Sequence, residues 1–223
     1  MVGTRGARTL GEFVREEQIL EWLAGEVRAI NAHSTEGARK AARAGKRVLQ
    51  CTTCTTAACC SSFVLARLFE GLMIAAYLID TGRDSPALRE DLRTRHVAMQ
   101  ATGLAAWNTP CLFLDERKRC AVYEVRPTNC GGHYVYTPPA LCAIRSPEIL
   151  AYVSDHEVVA ANQVEEAFRE KLALRKKAGR RYLGHLSHMV LIALEAWDRT
   201  DFRDHLRQLP WPTEDEVAAW GRR

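Results

Sequence analysis

Clustered cysteines constrain this chain more than any other feature of its sequence. The eight cysteines form two groups, and the first has the spacing C-x2-C-x4-C-C. A C-x2-C step lets two sulfur atoms reach one metal ion, because the turn between them brings both side chains to one side. The sequence therefore predicts metal ligation, in one site or in two. The predicted ligands are Cys51, Cys54, Cys59 and Cys60, then Cys111, Cys120, Cys130 and Cys142.

Two other roles explain the cysteines less well. Residues 1–15 carry charged side chains and no apolar signal segment, so we expect a reducing cytoplasmic setting. Disulfides do not persist there, and the adjacent Cys59 and Cys60 could pair with each other only in a strained ring. Inert buried thiols would explain one residue such as Cys142, but not four cysteines within ten residues.

Apolar periodicity predicts a mainly α-helical fold. The pattern favours helices over 10–30, 85–107, 154–177 and 183–197, a short one from Thr213, and a helix from Ser61 or Ser62 to residue 79. A break is predicted at residues 31–34. Residues 111–125 are two apolar segments around a charged turn, which predicts a short β-hairpin and the only strand pair.

The length of 223 residues, 47% of them hydrophobic, suits a single domain with a substantial core. The longest apolar segment, residues 63–79, is interrupted by Arg67 and Glu70. It is shorter than the roughly 20 apolar residues of a bilayer span, so we expect no membrane helix. The predicted organisation is a flexible N-terminus over 1–8, one domain over 9–223, a cysteine core over 51–142 and C-terminal helices over 146–221.

The second cysteine group carries a family resemblance. The segment C-L-F-L-D begins at Cys111, and C-A-V-Y-E-V-R-P-T-N-C runs from Cys120 to Cys130. With the first group, these segments resemble the YkgJ-type cysteine-cluster family, the zinc- or iron-chelating CxxCxxCC domain. Two departures stand out. Four residues separate Cys54 from Cys59 where the family has two, and Gly131 and Gly132 follow Cys130 where the family usually has Arg and Phe.

The resemblance extends distantly to flagellin lysine N-methylases, which are iron–sulfur proteins that use S-adenosylmethionine. It implies a metalloenzyme that transfers a methyl group to a protein or small-molecule amine. Three residues of the block are candidates for cofactor binding. Arg126 would offset the charge of thiolates or of a cluster, or else pair with Glu124 or Asp115 at the surface. His133 would ligate the metal or face the pocket, and Tyr134 is a candidate by its position next to His133.

The metal and the partner are argued from composition. An all-cysteine ligand set with iron–sulfur relatives favours a [4Fe–4S] cluster, with zinc as the alternative. In that alternative, the metal only stabilises a module that docks a protein or RNA. The net charge of +4 and the basic run over 171–181, expected as a solvated helix end, argue against a dedicated nucleic-acid binder. We expect His185 and His188 to be surface or satisfied core residues.

Overall fold

The computed structural model describes residues 7–52, 57–103, 106–174 and 180–220, and it is mainly α-helical, as predicted. In chain order, the helices and strands are α1 (Leu10–Glu16), α2 (Ile19–Ala44), β1 (Leu65–Arg67), α3 (Leu68–Asp80), α4 (Pro86–Thr102), α5 (Thr128–Gly131), α6 (Pro139–Ala143), α7 (Asp155–Lys171), β2 (Leu183–His185), α8 (Leu186–Ala196), α9 (Phe202–Gln208) and α10 (Glu214–Trp220).

Helices α3 and α8 form the centre of the molecule. Nearly every residue of both is buried, which is typical of helices that are apolar on all sides. They pack against each other, α4 covers α8, and α2 packs against α7. One apolar core extends from Leu10 in α1 to Trp211 near the C-terminus. Among the described helices, none is long and apolar enough to cross a bilayer.

The only two-stranded sheet of the described chain lies away from its predicted place. β1 pairs with β2 in antiparallel register, Ala66 opposite Gly184. In the predicted hairpin only one bridge forms, between Leu114 and Cys120. The Asp115 carboxylate accepts the backbone N–H groups of two nearby residues and closes a tight turn, and the chain then enters a 3₁₀ turn before a ladder can extend. The prediction that 111–125 holds the only strand pair is therefore wrong.

Several helix limits also differ from the sequence pattern. The first predicted helix divides at Gln18, whose φ is 54°, and α2 then continues through the predicted break at 31–34. Helix α7 begins after Ser154 as predicted, but Glu157 does not cap it, because its carboxylate accepts the Ser34 hydroxyl at 3.0 Å. The predicted start at Thr213 is confirmed, since the Thr213 side chain accepts the Glu216 N–H at 3.2 Å.

Gly71 allows the two central helices to approach closely. A Cβ added at Gly71 of α3 would overlap the backbone of Met189 on α8. We expect Gly71→Ala to lower the free energy of unfolding by about 1–3 kcal/mol, since backbone atoms yield poorly. The matched control is Gly25→Ala on α2, where nothing lies within 4 Å and alanine should add about 0.5–1 kcal/mol. Urea titration measures both, and equal shifts in the two variants would contradict this role.

Candidate metal centre

Separate loops bring five cysteines to one place, which we name the central thiol group: Cys59, Cys60, Cys111, Cys120 and Cys130. A 3₁₀ turn over Ala58–Ser61 carries the first two. The backbone N–H of Cys111 donates to the carbonyl of Cys60 at 2.8 Å, which joins the loop before β1 to the turn after α4. The bridge from Leu114 positions Cys120, and α5 carries Cys130.

Burial raises the pKa of Cys111, Cys120 and Cys130, with repulsion from neighbouring cysteines adding to it at Cys111 and Cys130, and so favours the protonated form of these three thiols. Desolvation raises the pKa of Cys111 and Cys120, and it raises the pKa of Cys130 further because the charges of Cys111 and Glu70 act on it as well. The pKa of Cys60 is lowered, because the side chain of Cys59 donates a hydrogen bond to it. Several soft sulfur donors in a half-buried, mutually repelling group fit a thiolate-bound metal, whose charge would reverse the repulsion.

Glu70 fixes the turn that carries Cys130. This residue of α3 is 1% exposed. One carboxylate oxygen accepts the backbone N–H of Arg67 at 2.7 Å, and the other accepts both the N–H and the hydroxyl of Thr128 at 2.8 Å. Asn129 adds a bond to the Leu65 carbonyl. Sequence reasoning treated Glu70 only as an interruption of an apolar segment. The available signal was a carboxylate at the third position of a helix that is otherwise apolar.

Two glycines after Cys130 explain the departure from the family pattern. A Cβ at Gly131 would overlap the side chain of Asn31 on α2, and a Cβ at Gly132 would overlap Glu157 on α7. The larger Arg and Phe of the family pattern would not fit between these helices as they stand. The loop after Cys130 is therefore shaped by close packing of α2 and α7.

Arg126 lies beside both an aromatic ring and a thiol. Its guanidinium carbon is 4.0 Å from the centroid of the Tyr123 ring. Its charge acts to lower the pKa of Cys120, against the larger effect of burial. Asp115 pairs with Arg119 at 3.0 Å. The charge of Arg126 thus faces the central thiol group.

One cleft borders the central thiol group on the side of α4 and α8, and we name it the α4–α8 cleft. Its cavity volume is about 10 Å³, room for about one water molecule, and its lining includes Cys60, Cys111, Arg95, Trp107, His185 and Ser187. A second cleft, with a cavity volume of about 20 Å³, lies beside α6, and we name it the α6 cleft. Its lining includes Cys51, Cys59, His133 and Cys142. The predicted ligand Cys54 falls outside the described residues.

The two candidates after the glycines are placed differently. His133 is exposed at the α6 cleft, although nearby protein desolvates it enough to lower its pKa. Tyr134 is buried in a small apolar cluster with Ala38, Ala42 and Leu49, and its hydroxyl is 2.6 Å from that of Thr35. The structure thus brings His133, but not Tyr134, to a cleft that cysteines line.

Three histidines meet near the α4–α8 cleft, contrary to the expectation of satisfied or surface residues. His185 is 5% exposed, and in the described chain its Nδ1 has no hydrogen-bond partner. The ring of His188 stacks on that of His96 with centroids 3.6 Å apart. Burial lowers the pKa of His185 to about 4 and that of His188 to about 3. Sequence reasoning missed this group because His96 comes from a distant helix.

The cysteine and histidine side chains lie in one region, but they do not point toward a common centre. Within the described ranges, no three His, Cys, Asp or Glu side chains are arranged to hold a metal ion. The side chains contact one another instead, as the hydrogen bond from Cys59 to Cys60 illustrates. Binding a metal therefore requires the cysteine side chains to rotate, while the backbone already brings them to one region.

Comparison with known proteins agrees with this donor set. Residues 50–162 match the CxxCxxCC family model, described as a "putative zinc- or iron-chelating domain". No curated protein and no solved structure matches the chain. The matched range covers just over half of the 223 residues and contains all the cysteines described above. The chain therefore belongs to the CxxCxxCC family of zinc- or iron-chelating domains.

Proposed function

We propose that this protein is an iron–sulfur metalloenzyme whose cluster, a [4Fe–4S] centre, is held by Cys60, Cys111, Cys120 and Cys130. The observation that carries the proposal is the meeting of these four thiols at one half-buried group. Four cysteine thiolates are the usual ligands of such a cluster, which supplies redox chemistry or an iron atom that can bind substrate. Arg126 and Arg95 supply positive charge, because each interacts with one of these cysteines.

The α4–α8 cleft favours an enzyme over a closed structural site. A structural zinc site is complete with four protein ligands, whereas catalysis needs an accessible edge or a free coordination position. Cys60 and Cys111 line a cleft that also contains Arg95 and the buried His185. A small-molecule substrate would have to widen this cleft to reach the centre, because the cleft holds only about one water molecule.

The reaction we propose is methyl transfer from S-adenosylmethionine to an amine. Its support is the resemblance to lysine N-methylases together with Arg95, whose guanidinium suits the cofactor's carboxylate. The cleft holds no more than about one water molecule, so it would have to open before one end of the cofactor could enter it. Thiol ligands require reducing conditions, so we place the protein in the cytoplasm.

Anaerobic purification tests the metal. We expect a brown protein with a broad visible absorption, about four iron and four sulfide per chain, and loss of both in Cys120→Ser. Titration of the same preparation with S-adenosylmethionine should release or absorb heat and change the spin-resonance spectrum of the reduced cluster. Arg95→Leu should weaken the response to S-adenosylmethionine per cluster retained, whereas the control Arg117→Leu, at an exposed turn position, should change neither the iron content nor the response.

Two results would overturn parts of this proposal. A colourless protein with tightly bound zinc and no sulfide would show that the site holds zinc rather than a cluster. That result would favour the alternative of a structural module that docks a protein or RNA. An iron-loaded protein with neither heat nor spectral change would remove methyl transfer and leave the cluster.

A further inference from the structure

We propose that the basic end of α2 is a docking surface for an acidic segment of a partner protein. Exposed cations are concentrated at this end of the helix and directly after it. We name them the α2 basic surface: Arg39, Lys40, Arg43, Lys46 and Arg47. None of them lines the α4–α8 cleft or the α6 cleft. The surface is therefore independent of the metal and of the reaction proposed above.

The helix directs its cations away from the core. The buried residues in this half of α2 are Ser34, Ala38 and Ala42, which recur every four residues along one side. Arg39 and Arg43 lie on the outer side, one turn apart, which is about 6 Å along the helix axis. The basic side chains therefore form an ordered row that a partner can reach from solvent.

Little negative charge offsets this row. Glu36 pairs with Arg43 at 3.1 Å, but both side chains are largely exposed, so water and salt weaken their attraction. Within the part of the chain that the structure describes, the other four cations of the surface have no carboxylate at ion-pair distance. No aspartate or glutamate occurs between residues 37 and 69. The uncompensated positive charge is complementary to a negatively charged partner.

The helix dipole explains only part of this arrangement. A helix C-terminus favours cations within its last turn, where α2 has Arg43, whereas Arg39 and Lys40 come before that turn. Lys46 closes the helix in the left-handed conformation, with φ 50°, where glycine is the usual residue. A lysine at such a position carries a backbone cost that glycine avoids. Stability of the helix end therefore does not account for the lysine.

Packing beside the helix end holds the surface in place. The Tyr136 hydroxyl donates to the Ala38 carbonyl at 3.3 Å, and the guanidinium carbon of Arg47 lies 5.7 Å from the centroid of the Tyr136 ring. Val48 follows with 68% of its surface exposed, although Leu49 after it is buried. A partner thus meets positioned cations with an apolar contact beside them.

A protein segment fits this surface better than a nucleic acid or a membrane does. Single-stranded nucleic acid stacks on exposed aromatic rings, but the Tyr136 ring is half-buried with Arg47 over it. Interfacial helices bury several large apolar side chains, whereas a single valine, Val48, follows these cations. Carboxylates lie about 6 Å apart one turn along a helix and about 7 Å apart on alternate residues of a strand. Either spacing matches Arg39 and Arg43.

Fluorescence anisotropy with a labelled glutamate-rich peptide of about twelve residues tests the surface on the full, metal-loaded chain. We expect binding that weakens with added salt and falls at least about tenfold in the double variant Arg39→Glu, Arg43→Glu. Lys46→Gly should weaken binding about two- to fivefold and raise the urea midpoint. Its matched control is Lys118→Gly, at an exposed lysine with φ 58°, which should raise the midpoint without changing binding.

Carbodiimide cross-linking of the same peptide locates its binding site. Mass spectrometry should find the peptide carboxylates joined to Lys40 or Lys46. The docking surface is wrong if the peptide does not bind at low salt, if the double variant binds like the parent, or if the cross-links form at Lys118 or Lys171 instead. Tighter binding of oligouridylate or of phosphatidylserine vesicles than of the peptide, lost in the same double variant, would overturn the protein partner in favour of a nucleic acid or a membrane.

Discussion

Replacing Glu70 by alanine is expected to lower the free energy of unfolding by about 3–5 kcal/mol and to weaken metal binding. The substitution leaves three buried donors without their acceptor, namely the N–H groups of Arg67 and Thr128 and the Thr128 hydroxyl. Each unpaired buried group costs about 1–3 kcal/mol, offset in part because the buried charge is removed as well. Without this anchor the α5 turn loosens, and metal affinity should fall about 10- to 100-fold.

Chemical denaturation and metal competition measure the two effects of Glu70. Glu70→Gln keeps the shape and one acceptor oxygen but turns an amide NH₂ toward one of the N–H groups, so its losses should be intermediate. Glu116→Ala, at an exposed turn position, is the matched control and should change stability by no more than about 0.5 kcal/mol. If Glu70→Ala unfolds at the parent midpoint and retains its metal, Glu70 does not position the cysteine turn.

The helical part of the fold was predictable because its signals are local. Ser85 caps α4 by accepting the Leu88 N–H at 3.1 Å, and Thr213 caps α10, both at positions where the sequence pattern places them. Helix α2 passes through Asn31 and Ser34 for a reason that local signals omit. Ser34 is fully buried, and its hydroxyl donates to Glu157 on α7. This tertiary hydrogen bond satisfies the side chain that would otherwise favour a break, so the helix continues.

The sheet could not be found in the same way. β1 and β2 are 118 residues apart, and each has only three residues directly before a helix. Such short segments show no alternation that exceeds the helical pattern after them. Their position is held by a buried polar network in which Arg67 Nε lies 3.5 Å from Glu165, and both Arg67 and Arg181 donate to Asn162. These pairings follow from the tertiary arrangement rather than from any local motif.

The metal centre was predictable in composition but not in arrangement. Spacing identified the cysteines, because several cysteines clustered around a C-x2-C step in a reduced protein are typical of a metal site. It could not show that Cys59 and Cys60 line different clefts, since adjacent residues carry no spacing information. Arg95 and Trp107 were missed for a similar reason: neither belongs to a motif, and only the packing of α4 on α8 brings them beside Cys111.

Acidification is expected to destabilise this protein steeply through two desolvated histidines, the buried His185 and the half-buried His188. The folded-state pKa is about 4 for His185 and about 3 for His188, both below the unfolded value of about 6.5. As the pH falls below about 6.5, these two histidines therefore become protonated in the unfolded chain while they stay neutral in the folded protein. The contribution of these histidines is complete above that pH and is lost as the pH falls toward the folded values. At about 1.4 kcal/mol per pH unit and residue, the two together lose on the order of 4 kcal/mol between pH 7 and pH 5.

Urea titrations of the metal-free protein at a series of pH values measure this histidine contribution to stability without the additional effect of metal release in acid. His188→Gln removes one of the two protons, so the decline between pH 4 and pH 6 should become shallower by about 1.4 kcal/mol per pH unit. His156→Gln, an exposed substitution on α7, should run parallel to the parent. Parallel curves for His188→Gln and the parent would show that His188 titrates alike in the folded and unfolded chains. The stacked rings of His96 and His188 would then be accessible to water rather than desolvated between α4 and α8.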